Sequence, residues 1–243
     1  MQEIAICPVC GKHVTAPAGK IPMACPACHS NIKRSARLYV NEDGVLVRYD
    51  GHLTELHLPE AVRTIGENVF FCHTELTRVY FPSDLRAIGS SAFGKCGLLE
   101  ITLPDTLTSL ERDAFARCSQ LTAITLSSRL SEIPDRAFLG CSQLAAVLLG
   151  GITVLGEEAF AHCPSLHEVS LSFALTEIGR HAFFGCTDLK RIVIPKSVRK
   201  IGTGAFDLCP PPAVVLCEAP RRPEGFATDF AGDREVVWGY REG

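Results

Sequence analysis

Residues 159–183 read AFAHCPSLHEVSLSFALTEIGRHAF, and most of the chain between residues 52 and 209 is a variation on this stretch. Phe70, Phe93, Phe115, Phe138, Phe160, Phe183 and Phe206 return every 22 or 23 residues. A fixed period of that length marks a solenoid of stacked coils. Five residues before each phenylalanine stand Ile65, Ile88, Leu110, Ile133, Leu155, Ile178 and Ile201, and eight before it Val62, Leu85, Leu107, Leu130, Ile152, Leu175 and Val198. A further ladder, Leu53, Leu76, Leu98, Leu121, Leu144, Leu166 and Leu189, opens a segment of the form Leu-x-x-Val-x-Leu whose alternation is that of a strand. Stacked in register, these segments predict a parallel sheet with one strand per coil, closed by short helical or irregular returns.

Cys96, Cys118, Cys141, Cys163, Cys186 and Cys209 lie three residues after the repeating phenylalanines and so form an interior ladder. Free thiols pack as small hydrophobes; disulfides between neighbouring coils are the alternative. In the first coil His73 takes the ladder position and Cys72 comes one residue early, which makes Cys72 the thiol expected to be most accessible. The pattern Cys-x-x-Leu-x-x-Ile-x-Leu-Pro-x-x-Leu-x-x-Ile-Gly-x-x-Ala-Phe is legible in CTDLKRIVIPKSVRKIGTGAF, residues 186–206. It resembles the BspA-type leucine-rich repeat of bacteria. The resemblance implies a leucine-rich-repeat solenoid with a protein-binding or adhesive role, in a family whose members are often secreted or surface-attached.

Ahead of the repeats, Cys7-Pro8-Val9-Cys10-Gly11 is answered by Cys25-Pro26-Ala27-Cys28. Two such turns supply four thiolates at the corners of a tetrahedron, the closed arrangement of structural Zn2+. One zinc per chain is expected on Cys7, Cys10, Cys25 and Cys28; a rubredoxin-like iron site would use the same thiolates, and a redox dithiol would need only one motif. His13 and His29 neighbour a shell already filled. In wording and spacing, residues 1–36 resemble a zinc ribbon, with too few apolar residues to fold without metal. Residues 37–51 read as a capping hairpin around the Asn41-Glu42-Asp43-Gly44 turn. An open solenoid exposes a slice of core at each end, and this hairpin covers the first. The repeats occupy 52–209. After Pro210, Pro211 and Pro212 end the pattern, 214–217 form a last strand, and the tail of the C-terminal cap, 210–243, resembles the cover of this repeat family, in which Phe226, Phe230 and Trp238 would plug the core; an aromatic binding patch is the alternative.

The chain carries a net charge of −3, with 47% hydrophobic and 21% charged residues. The first forty residues hold Lys12, Lys20, Lys33, Arg34 and Arg37 against Glu3, a balance of +4 that leaves −7 elsewhere. Nucleic-acid binding through this basic ribbon is the second reading, weakened because no aromatic residue before Tyr39 offers a base a stacking partner. The start MQEIAICPVC lacks a basic segment followed by an apolar run, and no stretch is long enough to span a membrane. A soluble, cytoplasmic monomer is expected. No nucleophile elbow, zinc-hydrolase helix or phosphate loop is present, so the chain reads as non-enzymatic; His167, Glu168 and His181 fall at outward positions. A protein partner is expected on the outer face of the sheet, where Arg78, Tyr80, Thr102, Thr125, Leu148, Ser170, Arg191 and Val193 combine small or apolar residues with a charged rim.

Overall fold

The computed structural model describes residues 1–33, 35–209 and 214–241; Arg34 and the three prolines at 210–212 lie outside them. Four strands precede the repeats: β1 (Gln2–Ile6), β2 (His13–Pro17), β3 (Arg37–Val40) and β4 (Val45–Asp50). Each repeat then contributes two. In chain order these are β5 (Glu55–His57) and β6 (Thr64–Ile65), β7 (Arg78–Tyr80) and β8 (Ala87–Ile88), β9 (Glu100–Thr102) and β10 (Ser109–Leu110), and β11 (Ala123–Thr125) and β12 (Glu132–Ile133). There follow β13 (Ala146–Leu148) and β14 (Val154–Leu155), β15 (Glu168–Ser170) and β16 (Glu177–Ile178), and β17 (Arg191–Ile194) and β18 (Lys200–Ile201). The tail adds β19 (Val214–Cys217) and β20 (Glu235–Trp238).

The result is a parallel β-solenoid of about 8 turns. The alternating segments form the expected strand column, and the two-residue strands form a second column that the expectation of one strand per coil does not include. Its registers run Ile65 to Ile88 to Leu110, then Ile133 to Leu155 to Ile178 to Ile201. At the end of this strand the amides of Gly89, Gly156, Gly179 and Gly202 donate to the carbonyls of Ile65, Ile133, Leu155 and Ile178, at 2.7–2.9 Å. The coils approach so closely here that a Cβ on Gly179 would stand 2.5 Å from the Gly156 backbone. Pro134 occupies this position in its own coil, and proline has no N–H to give. The column is interrupted there, between β10 and β12.

The first column is also divided, into the pairs β5–β7, β9–β11 and β13–β15 and the triplet β17–β19–β20. Strand β19 is therefore not the last: β20 continues the ladder from Val214 to Glu235 and from Cys217 to Trp238. No helix occurs among the described residues. The returns are runs of turns in which the residues two before and two after the repeating phenylalanine take left-handed backbone angles. Ser91 and Lys95 (φ 52° and 59°), Asp113 and Arg117 (57° and 60°) and Glu158 and His162 (55° and 56°) are examples. Left-handed residues cannot continue an α-helix. Their neighbours bond between coils instead, with Phe93 N–H donating to Ala114 C=O at 2.8 Å and Phe160 N–H to Ala182 C=O at 2.8 Å.

Within the coils the repeating phenylalanines are buried and stack at 4.9–5.7 Å with interplanar angles of 1–10°. That spacing follows from the strand separation, which brings rings on successive coils within stacking range. Tyr49 of β4 closes the stack at one end, 5.2 Å from Phe70. At the other, Phe226, Phe230 and Trp238 cluster with centroids 5.3–6.3 Å apart. Arg234 finishes this end by donating to the Ala231 and Cys209 carbonyls.

Candidate metal centre and outer sheet face

Strand β1 joins the two halves of the molecule. Ile4 and Ile6 face the solenoid core, whereas Ala5 and Cys7 face a small second core completed by Val14, Cys25 and Ile32. Period-two alternation in one strand thus serves both. It pairs antiparallel with β2 and with β3, so the hairpin, the cysteine module and the repeats share one sheet. Glu3 emerges on the module side, where its carboxylate accepts from Arg37 at 2.6 Å and from the Gly19 amide at 2.6 Å.

The two cysteine turns have the same backbone. Gly11 N–H donates to Cys7 C=O at 2.9 Å and His29 N–H to Cys25 C=O at 2.8 Å; Cys7 N–H reaches Lys12 C=O and Cys25 N–H reaches Ser30 C=O. Gly11 and His29 occupy equivalent left-handed positions, with φ of 69° and 59°. His29 therefore stands where the turn calls for glycine, and its side chain is exposed. Between the turns, Cys7 Sγ lies 3.5 Å from Cys28 Sγ and Cys10 Sγ 3.7 Å from Cys25 Sγ, all four sulfurs falling within 4.8 Å of one another. A tetrahedron of thiolates about 2.3 Å from a central ion has edges of about 3.8 Å. The four sulfurs fit such an ion, so Cys7, Cys10, Cys25 and Cys28 can hold a metal. Ser30 Oγ lies 3.0 Å from both Cys7 Sγ and Cys28 Sγ. Its hydroxyl holds the Cys7 thiol down to about 6 and lowers Cys28 as well. Cys10 moves the other way, to about 12: the Lys12 backbone lowers it, but desolvation and the hydrogen bonds of the other thiols outweigh that. Hydrogen bonding of this kind favours the thiolate form that a cation site needs.

His13 lies outside the sulfur cluster. Its Nε2 is 2.9 Å from the His57 carbonyl, tying the module to the first coil, and burial lowers its pKa. The His57 ring in turn stacks on Tyr80 at 4.1 Å and 9°.

On the outer face of the first column Arg78, Tyr80, Thr102, Thr125, Leu148, Ser170 and Arg191 are exposed and Val193 is half-buried. The registers align His57 with Tyr80, Thr102 with Thr125, and Leu148 with Ser170. The column breaks separate these pairs, so the face consists of short patches. Arg78 is paired with Glu55 at 3.2 Å, and Arg191 donates to Tyr240 Oη at 2.5 Å while lying over its ring. Phe173, absent from the sequence reading, is 82% exposed, and Leu148 is 68% exposed. Phe173 stands at the coil corner, a position that is Glu60, Ser83 and Asp105 in earlier coils, and only its departure from that polar column could have flagged it.

Residues 48–166 and 86–212 match the BspA type Leucine rich repeat region. Among solved structures, a leucine-rich repeat protein from Eubacterium ventriosum superposes with a TM-score of 0.66 at 26% identity, over 79% of this chain and 51% of that one. The chain thus spans about half the length of that protein. The T. pallidum Leucine Rich Repeat protein gives a TM-score of 0.53 at 25% identity, over 83% of this chain and 95% of that one. A comparison with curated proteins returns no match. No helix is long and apolar enough to cross a membrane among the described residues. The matched repeats cover more than half of the sequence and their ladders form the core, so the chain belongs to the BspA-type leucine-rich repeat family.

Proposed function

We propose that this chain is a non-enzymatic protein-recognition scaffold whose repeats present the outer sheet face and whose N-terminal module is stapled by one structural zinc. The observation that carries the reading is the contrast within each strand of the first column. Leu56, Val79, Ile101 and Val147 are buried, while their neighbours Tyr80 and Leu148 remain exposed although large and apolar. Outward positions can then vary for binding without touching the ladders that hold the fold. All-thiolate ligation favours zinc over harder cations, and a closed four-sulfur shell suits a structural role.

Eight cysteines outside the metal cluster, most of them buried as thiols in the repeats, are in keeping with a reducing compartment and a cytoplasmic protein. The nucleic-acid reading loses support from Arg37, whose charge is matched by Glu3 at 2.6 Å. The test is affinity capture from host lysate with the full chain and with Tyr80→Ala and Leu148→Asp. A protein retained by the parent and lost by both variants supports the reading, and a partner held equally by all three removes the sheet face from it.

A further inference from the structure

The left-handed positions flanking the phenylalanine ladder form two outward columns, and three of them are glycine: Gly140, Gly185 and Gly204. A side chain from the preceding coil leans into the space at each. A Cβ on Gly140 would stand 3.4 Å from Arg117 Cγ, one on Gly185 3.3 Å from His162 Nδ1, and one on Gly204 2.6 Å from His181 Cδ2. In other coils these columns carry Asn68, Cys72, Ser91, Lys95, Asp113 and Leu208. The missing side chain at Gly140 opens a notch of roughly 530 Å³ on the turn face, away from both the metal centre and the outer sheet face. Its floor is Leu139, Gly140 and Ala161, and its walls include Arg117, Phe184 and the two imidazoles. His162 meets the Phe184 ring edge-on at 5.2 Å, and His181 lies 5.0 Å from it.

The charges in the notch do not cancel. Glu158 is held by Arg136 Nε at 2.8 Å, and Arg180 is paired with Glu157 at 3.1 Å. Arg117 has no acidic partner among the described residues, and neither imidazole has a side-chain hydrogen bond among them. One guanidinium and the His162 imidazole are therefore left over beside an apolar floor and an aromatic face, while His181 shares the gap at Gly204 with the Asp207 carboxylate. A guanidinium offers paired donors matched to carboxylate or phosphate oxygens. Phe184 and Leu139 offer surface to the body of a ligand that carries such a group.

We propose that this notch binds a small organic anion, an oxyanion group carried on an aromatic or aliphatic body. The anionic group bonds to Arg117 and His162, and the body packs on Phe184. Isothermal titration of the full chain with phenyl phosphate and with benzoate tests this and distinguishes a phosphate from a carboxylate head; inorganic phosphate and phenol supply the head and the body alone. Saturable binding of at least one aromatic anion is expected, tighter than either fragment. Arg117→Ala should weaken it about tenfold, the loss of one charge-assisted hydrogen bond. Phe184→Ala should reduce the affinity to that of the head alone. Arg117 is exposed, so its variant keeps the parent melting temperature, and His162→Gln provides a second variant at an exposed position. Failure of both anions to bind at millimolar concentration would overturn the proposal, as would an affinity indifferent to Arg117 and His162.

Discussion

Each ladder cysteine donates its thiol hydrogen to a phenylalanine carbonyl of the preceding coil: Cys96 to Phe70 at 2.9 Å, Cys118 to Phe93 at 3.0 Å, Cys163 to Phe138 at 3.2 Å and Cys186 to Phe160 at 3.2 Å. The thiol is thus a small apolar group with one weak donor, which adds a second bond to a carbonyl that in most coils already accepts a backbone amide. The first coil has no preceding phenylalanine, and His73 fills the position instead, its ring 5.0 Å from Tyr49. Cys72 is exposed at a left-handed position that is Lys95, Arg117 and His162 in later coils. With the metal site loaded, a thiol reagent is expected to modify Cys72 well before Cys118, Cys141 or Cys163. Burial pushes Cys118 and Cys163 up to about 12. Because unfolded thiols ionise near about 8.5, the contribution of these groups is fully present below that pH and is lost as pH rises toward 12. Urea unfolding midpoints should accordingly fall above about pH 8.5. In the same stack, Phe160→Ala should cost about 3–5 kcal/mol in a denaturation titration; a loss under about 1 kcal/mol would contradict a ring buried on both faces.

At the scale of elements, β1 decides how the metal module and the repeats depend on each other. Its Ile4 and Ile6 belong to the solenoid core, whereas residues 7–33 rest on a core of only a few apolar side chains. Chelation is therefore expected to release those residues and lower the melting temperature while the repeats stay folded. Circular dichroism should retain most of its β signal, and elemental analysis should find one zinc in the parent and none in Cys25→Ser. Melting of the whole chain in one step on chelation would refute this division. The second strand column is weakest where Pro134 replaces a donor. Amides in peptides covering residues 130–134 should exchange with deuterium faster than those covering 153–156, where the Gly156 amide is bonded to Ile133 at 2.8 Å.

Over the whole molecule, the stacked coils separate what holds the fold from what can meet a partner. Tyr80→Ala and Leu148→Asp change exposed side chains, so thermal melting should move little, while affinity for a protein captured through the sheet face should fall by about tenfold or more, as for truncation of an interface anchor. A large drop in melting temperature in either variant would mean that the residue supports its coil and is not free to bind. The phenylalanine stack is covered by Tyr49 on one side, and Phe226, Phe230 and Trp238 cluster at the other.

The amino-acid sequence alone determined the coil length, the inward ladders and the four cysteines, because each is a pattern of residue types at fixed spacing and burial enforces that pattern locally. The second strand column was not legible in this way: two-residue strands are too short to show alternation, and their bonds depend on the approach of coils 22 or 23 residues apart. Pro134 was visible as a proline in a column otherwise rich in glycine, but its consequence exists only once that column is known to need an amide donor. Of the helical or irregular returns expected, the irregular ones form, in left-handed turns, because bonding between coils outweighs local helix preference. The convergence of Arg117, His162 and His181 came from tertiary structure alone. Each leans on the glycine of the next coil, and stacking, not sequence neighbourhood, sets which side chain meets which gap.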